Sequence, residues 1–471
     1  MEKYKKLLAN IGIFTLNAVA TKLMAFLLMP LYTLYFSTDE YGIMDMAVIM
    51  TNMLFPLLTM LISEGMLRYA LEDKEHISFY VTESFVIMLL SCVILALLLP
   101  LFDLSFFGGL GQYKLWFLLS YMAMGFPTVM STVARALDQT KLMSYASILS
   151  AIVMGVLAYV LIAVMKLGLM GYFYSYIIGN GLSIFVYILL GKQYRYVNFH
   201  EWRNGFPLRK QLWKYSIPLA PNTLCDQIQT VGSRLIITGV LGISSSGLYA
   251  SASKIPNLLN TVQQIIQLAW QLSTFQEFKN KGLKHFYDVI WKVYQALMSL
   301  ASSAVILFSP VLAMLLMQKQ FYDAWPLISV LVVAFYLSSI NSFLGTIYQA
   351  FMETKPLLTA ALLGALICIA FTACFVHSLG ITAATFGVLI SSFLIFIVRS
   401  IDIRRLLRVD MRPLSTAITV MLLTVQSIVT LNQYDHYLFW SSICLLLIAF
   451  VQCYELKPLV TLIFTRRKYT A

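Results

Sequence analysis

Charge is scarce in this sequence. Asp, Glu, Lys and Arg make up 11% of the 471 residues against 60% hydrophobic residues, whereas ordinary soluble domains carry about 25% charged residues, so no soluble core accounts for this composition. Acidic residues are the scarcer sign, 21 against 33 Lys+Arg, a net charge of +12. The six cysteines, Cys92, Cys225, Cys368, Cys374, Cys444 and Cys453, all fall inside apolar runs with no Cys-x-x-Cys pair, which excludes a disulfide framework and a thiolate metal site. The five histidines (His76, His200, His285, His377, His436) lie in loops or at the ends of apolar runs, so neither metal nor cofactor is expected. There is no P-loop, no His-Glu-x-x-His and no Gly-x-Ser-x-Gly, and Gly108-Gly109-Leu110-Gly111 lacks both strand context and a following Lys, which removes the common enzyme classes. Nucleic acid is excluded as a partner, because the basic residues sit between apolar runs rather than on a soluble basic surface.

What the chain has is long apolar runs. A helix needs about 20 apolar residues to cross a bilayer, and hydropathy gives spans near 8–36, 42–66, 80–102, 113–134, 142–165, 168–190, 214–241, 247–272, 290–317, 325–350, 357–376, 381–398, 413–431 and 437–454. The first is too long for a signal-peptide core and is expected to be retained. The fold class is therefore an all-α polytopic membrane protein of about 14 transmembrane helices. Among the 33 Lys and Arg, only Lys114, Lys166 and Lys319 fall in one set of alternating loops, Lys22, Arg234 and Lys254 fall within spans, and the other 27 share the side of the N-terminus. This asymmetry places both termini in the cytoplasm. The seven Trp residues (Trp116, Trp202, Trp213, Trp270, Trp291, Trp325, Trp440) lie near span ends, the pattern of an interfacial aromatic belt.

Short repeats divide the chain. Ala-Leu-Asp-Gln-Thr-Lys at 136–141 is echoed by Ala-Phe-Met-Glu-Thr-Lys at 350–355, the turn ending at Gly42 by the turn ending at Gly247, and Leu-Gly at 167–168 by Leu-Gly at 379–380. The common spacing predicts two pseudo-symmetric six-helix bundles related by an axis along the membrane normal. The expected organisation is an N-terminal lobe at 1–190, a cytoplasmic basic-aromatic linker at 191–213, a second lobe at 214–400, and helices 13 and 14 with a cytoplasmic tail at 401–471. The linker interleaves Lys192, Arg195, Arg203, Arg209 and Lys210 with Tyr194, Tyr196, Phe199, Trp202 and Phe206, a composition suited to the anionic inner leaflet rather than to RNA.

Polar groups inside spans are costly and mark function by default. Lys22 and Asp226 are the deepest charges; Arg234 and Lys254 sit nearer the outer ends, where snorkelling and a place in an aqueous cleft are both open. Glu64 stands four residues before Arg68, an i,i+4 pair, and Asp45 lies one turn inside span two, where it could simply be wet. Lys254, Asn257, Thr261, Gln264, Gln267 and Gln271 make one helical stripe, and Asn222, Asp226, Gln229 and Ser233 another; Asn10, Asn17 and Thr21, with Asp45, Asn52, Thr59 and Ser63, repeat the step in the first bundle. Such stripes predict bundles facing each other across water. Aligning Gly42 with Gly247 sets Lys22 next to Asp226, leaving either a cross-cleft contact or two separately solvated charges. Pro30, Pro218 and Pro221 sit where helices could bend.

The fourteen spans, the two lobes, the Thr-Asp-Glu-Tyr-Gly turn and the Asp-Gln-Thr-Lys and Glu-Thr-Lys segments resemble the polysaccharide repeat-unit flippases of the multidrug/oligosaccharidyl-lipid/polysaccharide exporter superfamily, over the whole chain. The resemblance implies a bacterial inner-membrane protein, not an enzyme, moving an undecaprenyl-diphosphate-linked oligosaccharide outward by alternating access. Cationic residues in the cleft would meet the diphosphate, and the span charges and polar stripes supply the candidates: a substrate-binding set of Lys22, Arg234, Lys254, Asn257, Gln264 and Gln267, and an ion-coupling or gating set of Asp226, Asp45 and Glu64. Its partners would be the lipid-linked glycan, membrane lipid, a proton or sodium ion, and a polysaccharide polymerase. The alternatives are a cation-coupled drug antiporter, which usually has twelve spans, and a polymerase or ligase, which would need a sizeable catalytic outer loop. A reporter that is active only in the cytoplasm, fused after Ala471, is expected to be active; activity of an exported reporter at that position would contradict the topology.

Overall fold

The computed structural model describes residues 24, 26–264, 266, 283–350, 355–407, 413–433 and 436–468. Every regular element among them is helical, and eleven helices are long and apolar enough to cross a bilayer. The chain is an all-α polytopic membrane protein. It separates into two compact units, Met1–Gly247 and Leu248–Ala471.

In the first unit, α1 (Met29–Tyr35) is the end of span one, with Pro30 in its first turn, where the missing amide hydrogen costs nothing. Ser37 then caps α2 (Thr38–Thr59) in a capping box with Glu40, satisfying two otherwise orphaned amides. Glu40 also accepts from the Leu169 amide at 3.3 Å, tying this turn to the start of α7. The run expected at 42–66 is not one helix: it breaks at Met60 and Leu61, both left-handed with φ of 48° and 52°, and resumes as α3 (Ile62–Glu72). Pro56 removes a ladder donor, and the Thr59 hydroxyl bonds the Phe55 carbonyl at 2.6 Å, so the turn before the break is already weakened. Two adjacent left-handed residues without glycine store about 1–3 kcal/mol each.

Then come α4 (Ile77–Leu98), α5 (Lys114–Ala136), α6 (Thr140–Ala158, extended by a π-helical stretch Tyr159–Val164) and α7 (Gly168–Leu189). Leu89, Leu90, Val93, Ile94 and Leu97 of α4 are exposed; such a surface suits lipid rather than water. The linker folds into α8 (Phe199–Asn204) and α9 (Phe206–Ser216), and α10 (Leu219–Leu241) follows. Pro218 caps α10, so the seventh span starts at Leu219 and not at Lys214. α10 runs along α2, which carries the compact-unit boundary past the linker to Gly247.

The linker's aromatic residues do not simply face the leaflet. Glu83, 2% exposed in α4, accepts from Trp202 Nε1 at 2.5 Å, Trp213 Nε1 at 2.9 Å and Arg209 Nε at 3.0 Å. The Arg209 guanidinium lies over the Trp202 ring, 4.8 Å from its centroid. Lys192, Arg195, Arg203 and Lys210 remain exposed. Trp291 departs further from the belt: it is 2% exposed and packs on Phe343.

α11 (Ile243–Lys254) crosses the unit boundary. The second unit continues with α12 (Leu283–Leu307), α13 (Ser309–Leu316), α14 (Trp325–Ala350), α15 (Lys355–Leu379), α16 (Thr382–Leu407), α17 (Pro413–Leu431) and α18 (Tyr437–Lys468). α14 is its core, with Ile328, Val332, Ile340 and Leu344 fully buried. The last two helices pack against α12 and α14. Gln426 of α17 accepts from Ser303 of α12 at 2.8 Å and donates to Ser441 Oγ of α18 at 2.9 Å, and Gln452 donates to Thr419 at 2.9 Å, the polar stitching that holds membrane helices where apolar burial gives no net drive.

Glu83 is the linker's anchor. Replacing it by Ala removes the shared acceptor of a half-buried guanidinium and two half-buried indole donors, at a cost of about 1–3 kcal/mol. Glu83→Ala is expected to expose Arg203 and Lys210 to trypsin and to lower the unfolding midpoint, with Glu83→Gln between it and wild type; unchanged proteolysis would contradict the anchor.

Candidate functional site

Of the residues expected to carry function, Asp45, Glu64 and Arg234 are described in the first unit and Lys254, Asn257 and Gln264 in the second. Lys22 and Gln267 lie outside the described residues, and Asp226 falls within α10 at a position whose side chain is not described; the Lys22 and Asp226 contact is therefore not addressed. Lys254 ends α11 and is half-buried, and a two-residue turn at 255–256 interrupts the eighth span. Asn257 and Gln264 follow it and are exposed, Asn257 accepting from Asn260 at 3.1 Å. Glu64 does not pair with Arg68: its carboxylate meets Arg135 of α5 at 3.2 Å, while Arg68 turns forward to Glu72 at 3.4 Å. All four are exposed enough that these pairs are worth little. Of the α2 stripe, Asn52 is exposed, whereas Asp45, Thr59 and Ser63 are buried.

Two expected residues do meet. Asp45, on the second turn of α2, and Arg234, two turns before the end of α10, form an ion pair at 3.4 Å, each side chain 4% exposed. Arg234 also donates to the Ser246 carbonyl at 3.2 Å. Asp45 is thus enclosed by protein and not wet. The pair sits beneath a close crossing of helix ends. Gly242, at φ 89° and ψ 166°, a conformation open only to glycine, turns the chain from α10 into α11 within one residue. The start of α11 then lies against the start of α2. A Cβ on Gly42 would overlap the Ile243 carbonyl oxygen, and a Cβ on Gly247 would overlap the Thr38 carbonyl oxygen. The Thr38 and Ser244 hydroxyls are 2.5 Å apart.

This crossing is reciprocal. Thr38 and Gly42 correspond to Ile243 and Gly247 at the repeat spacing, and each glycine admits the other turn's first residue. The contact is mutual, each glycine lying against the carbonyl of the other segment's first residue. The segment 103–113 covers it: Phe106 packs over Gly239, Gly108 at φ 59° abuts Ile243, and Lys114 pairs with Asp103 at 2.5 Å. Sequence reasoning identified both turns and both charges but not their contact. The signal was the paired glycines, because small residues at matched positions on two helix ends permit backbone approach. Glu83 was missed altogether, being a single carboxylate within an apolar run.

The described residues thus form an all-helical membrane bundle with polar helix crossings. The chain belongs to the polysaccharide biosynthesis protein family, whose model matches residues 7–275. No curated protein sequence matches the chain. Among solved structures, lipid II flippase MurJ in an inward closed conformation superposes with a TM-score of 0.72 at 13% identity, covering 96% of this chain and 100% of its own. A multidrug resistance MATE family transporter of the MOP superfamily is similar in its inward-facing form (TM-score 0.68, 18% identity, 84% of this chain and 96% of its own). An outward-facing MATE structure gives a TM-score of 0.61 at 18% identity, covering 85% of this chain and 95% of its own. These likenesses establish the shared fold.

The crossing can be tested in a background lacking the native cysteines. Thr38→Cys with Ser244→Cys is expected to form a disulfide on mild oxidation. Gly42→Ala in that pair is expected to suppress crosslinking, because overpacking against backbone costs about 1–3 kcal/mol. Equal crosslinking with and without the extra methyl would contradict the close approach.

Proposed function

We infer that the protein is a flippase carrying a polyprenyl-diphosphate-linked oligosaccharide from the inner to the outer leaflet of the bacterial cytoplasmic membrane, with no chemical change to its cargo. The observation that carries this reading is the polysaccharide biosynthesis family match on a fold shared with a lipid II flippase over 96% of the chain. In this reading the Lys- and Arg-poor end is the outer face and both termini are cytoplasmic, so the α2 and α11 crossing is the closed outer end of the pathway.

The chemistry of the Asp45 and Arg234 pair fits a lock. Two charges removed from water are held by mutual attraction, and water entering between them would solvate each separately, so the pair is stable only while the end is closed. Outward opening frees the Arg234 guanidinium, whose fork of donors matches phosphate oxygens, and a diphosphate arriving there competes with Asp45. A proton delivered to Asp45 would break the same pair, so an ion gradient and the substrate would act on one lock. Moving a diphosphate outward also gains roughly 2.3 kcal/mol per charge for each 100 mV, inside negative. Lys22, Lys254 and the amides of the eighth span remain the candidate cleft contacts, Asp226 the candidate coupling carboxylate, and a polysaccharide polymerase the candidate consumer of the product.

A second reading, cation-coupled drug export, is favoured by the MATE structures at 18% identity. Their coverage of 84–85% of this chain against 96% for the flippase weighs for the first reading. Proteoliposomes separate the two. Wild-type protein is expected to expose a fluorescent polyprenyl-diphosphate oligosaccharide to an impermeant glycosidase, with Arg234→Gln slower by about tenfold or more, roughly 1.4 kcal/mol on the barrier. Proton-driven efflux of a lipophilic cation dye without any oligosaccharide flipping would overturn the proposal.

A further inference from the structure

Span two is broken where its sequence gives no local reason to break. Met and Leu are among the strongest helix formers, yet Met60 and Leu61 stand side by side in the left-handed region, which glycine ordinarily occupies. The nearest glycine is Gly65, already inside α3, and proline marks only the approach, at Pro56. The break is therefore imposed by the surroundings against local preference, a form of strain that clusters at switch regions.

The two sides of the break are held differently. On the α3 side, Ile62, Met66 and Ala70 share one buried cluster with Phe79 of α4, Val133 of α5 and Leu212 of α9. A Cβ on Gly65 would overlap the Ser216 hydroxyl. Tyr69 donates to the Gln211 carbonyl at 3.5 Å, and the Arg68 guanidinium lies 5.2 Å from the centroid of the Tyr215 ring. On the other side, α2 is tied at its far end by the ion pair of Asp45 with Arg234 and by the approach of Gly42 to Ile243. Met60 and Leu61 themselves are half-buried, so their torsions can change without opening a core.

We propose that Met60 and Leu61 are a strained hinge. The bent span is the state in which the Asp45 and Arg234 pair is made; relaxation of the two residues to helical torsions swings α2 on a fixed α3 and parts the pair. Asp45 lies about 24 Å along the helix from Leu61 at 1.5 Å per residue, so a turn of about 10° carries it about 4 Å. That is as far as the 3.4 Å pair is long. The strain thus opposes the pair, and loss of the pair is answered by straightening. The hinge deepens the transport reading, which supplies the reason for the motion.

Spin-label distances in the full-length protein, in lipid nanodiscs and a background lacking native cysteines, test the hinge. Labels at Asp39→Cys and Lys210→Cys span it, whereas Glu72→Cys with Lys210→Cys reports α3 against α9; all three positions are exposed. Asp45→Asn is expected to add a second Asp39–Lys210 distance. Adding Met60→Gly with Leu61→Gly, which hold left-handed torsions without strain and weaken a continuous helix, is expected to shrink that second population about tenfold. Leu61→Val, whose branched side chain is disfavoured there, is expected to create it even with Asp45 present. The Glu72–Lys210 distance is expected to stay single throughout, which also reports that each variant is folded. An undiminished second population in the glycine variant, or a Glu72–Lys210 distance that moves with the other, would overturn the hinge; the glycine arm decides alone where Leu61→Val does not fold. Distances that move as described in a protein that flips no oligosaccharide would overturn the transport reading and leave the hinge standing.

Discussion

A carboxylate enclosed within a membrane protein must be met by donors, because neither lipid nor apolar side chains can solvate it. Among the described residues Asp45 and Glu83 are the two carboxylates that are fully buried, and each organises one end of the first unit. Glu83 draws Arg209 and the indoles of Trp202 and Trp213 onto α4, which fixes the linker helices against the bundle. Asp45 draws Arg234 of α10 onto α2, and the two turns containing Gly42 and Gly247 close above that pair.

The two carboxylates differ in what their loss would permit. Glu83 accepts three hydrogen bonds at 2.5–3.0 Å from groups on neighbouring turns of one segment, a fully matched arrangement suited to permanence. Asp45 and Arg234 are 3.4 Å apart on different helices. A buried pair of this kind contributes little net stability, since desolvation offsets most of its Coulomb attraction, yet it penalises loss of either partner heavily. A contact that is specific but nearly neutral can be made and broken at little net cost. Backbone strain at Met60 and Leu61 places a discontinuity on the same helix as Asp45, so motion at one end of α2 need not propagate rigidly to the other.

Much of this was legible in the sequence where periodicity or repetition supplied the signal. The helical fold followed from apolar run length, and the matched turns at 37–42 and 243–247 followed from their repeat spacing; the structure places them in mutual contact. Partner choice was less legible. Exposed charges one turn apart predicted Glu64 with Arg68, but each found a different partner, Arg135 and Glu72, because exposed pairs are held by fractions of a kcal/mol and side-chain reach decides among them. Tertiary burial was least legible: Asp45 looked wet from its place near a helix end, and Trp291 looked interfacial. Neither sequence position encodes which helix packs over it. The helix breaks at Met60–Leu61 and Pro218 were readable only where proline marked them.

The central claim is that Asp45 and Arg234 act as one unit holding the α2 and α11 ends together. Its most direct test is a double-mutant cycle on the rate at which a cysteine at Ser246, 2% exposed, reacts with a membrane-impermeant maleimide added on the side that the proposed topology makes external. The account predicts that Asp45→Asn and Arg234→Gln each accelerate labelling and that the double variant is no faster than either alone. Accelerations that multiply, or single variants that label as slowly as wild type, would show that the two charges do not hold this end shut.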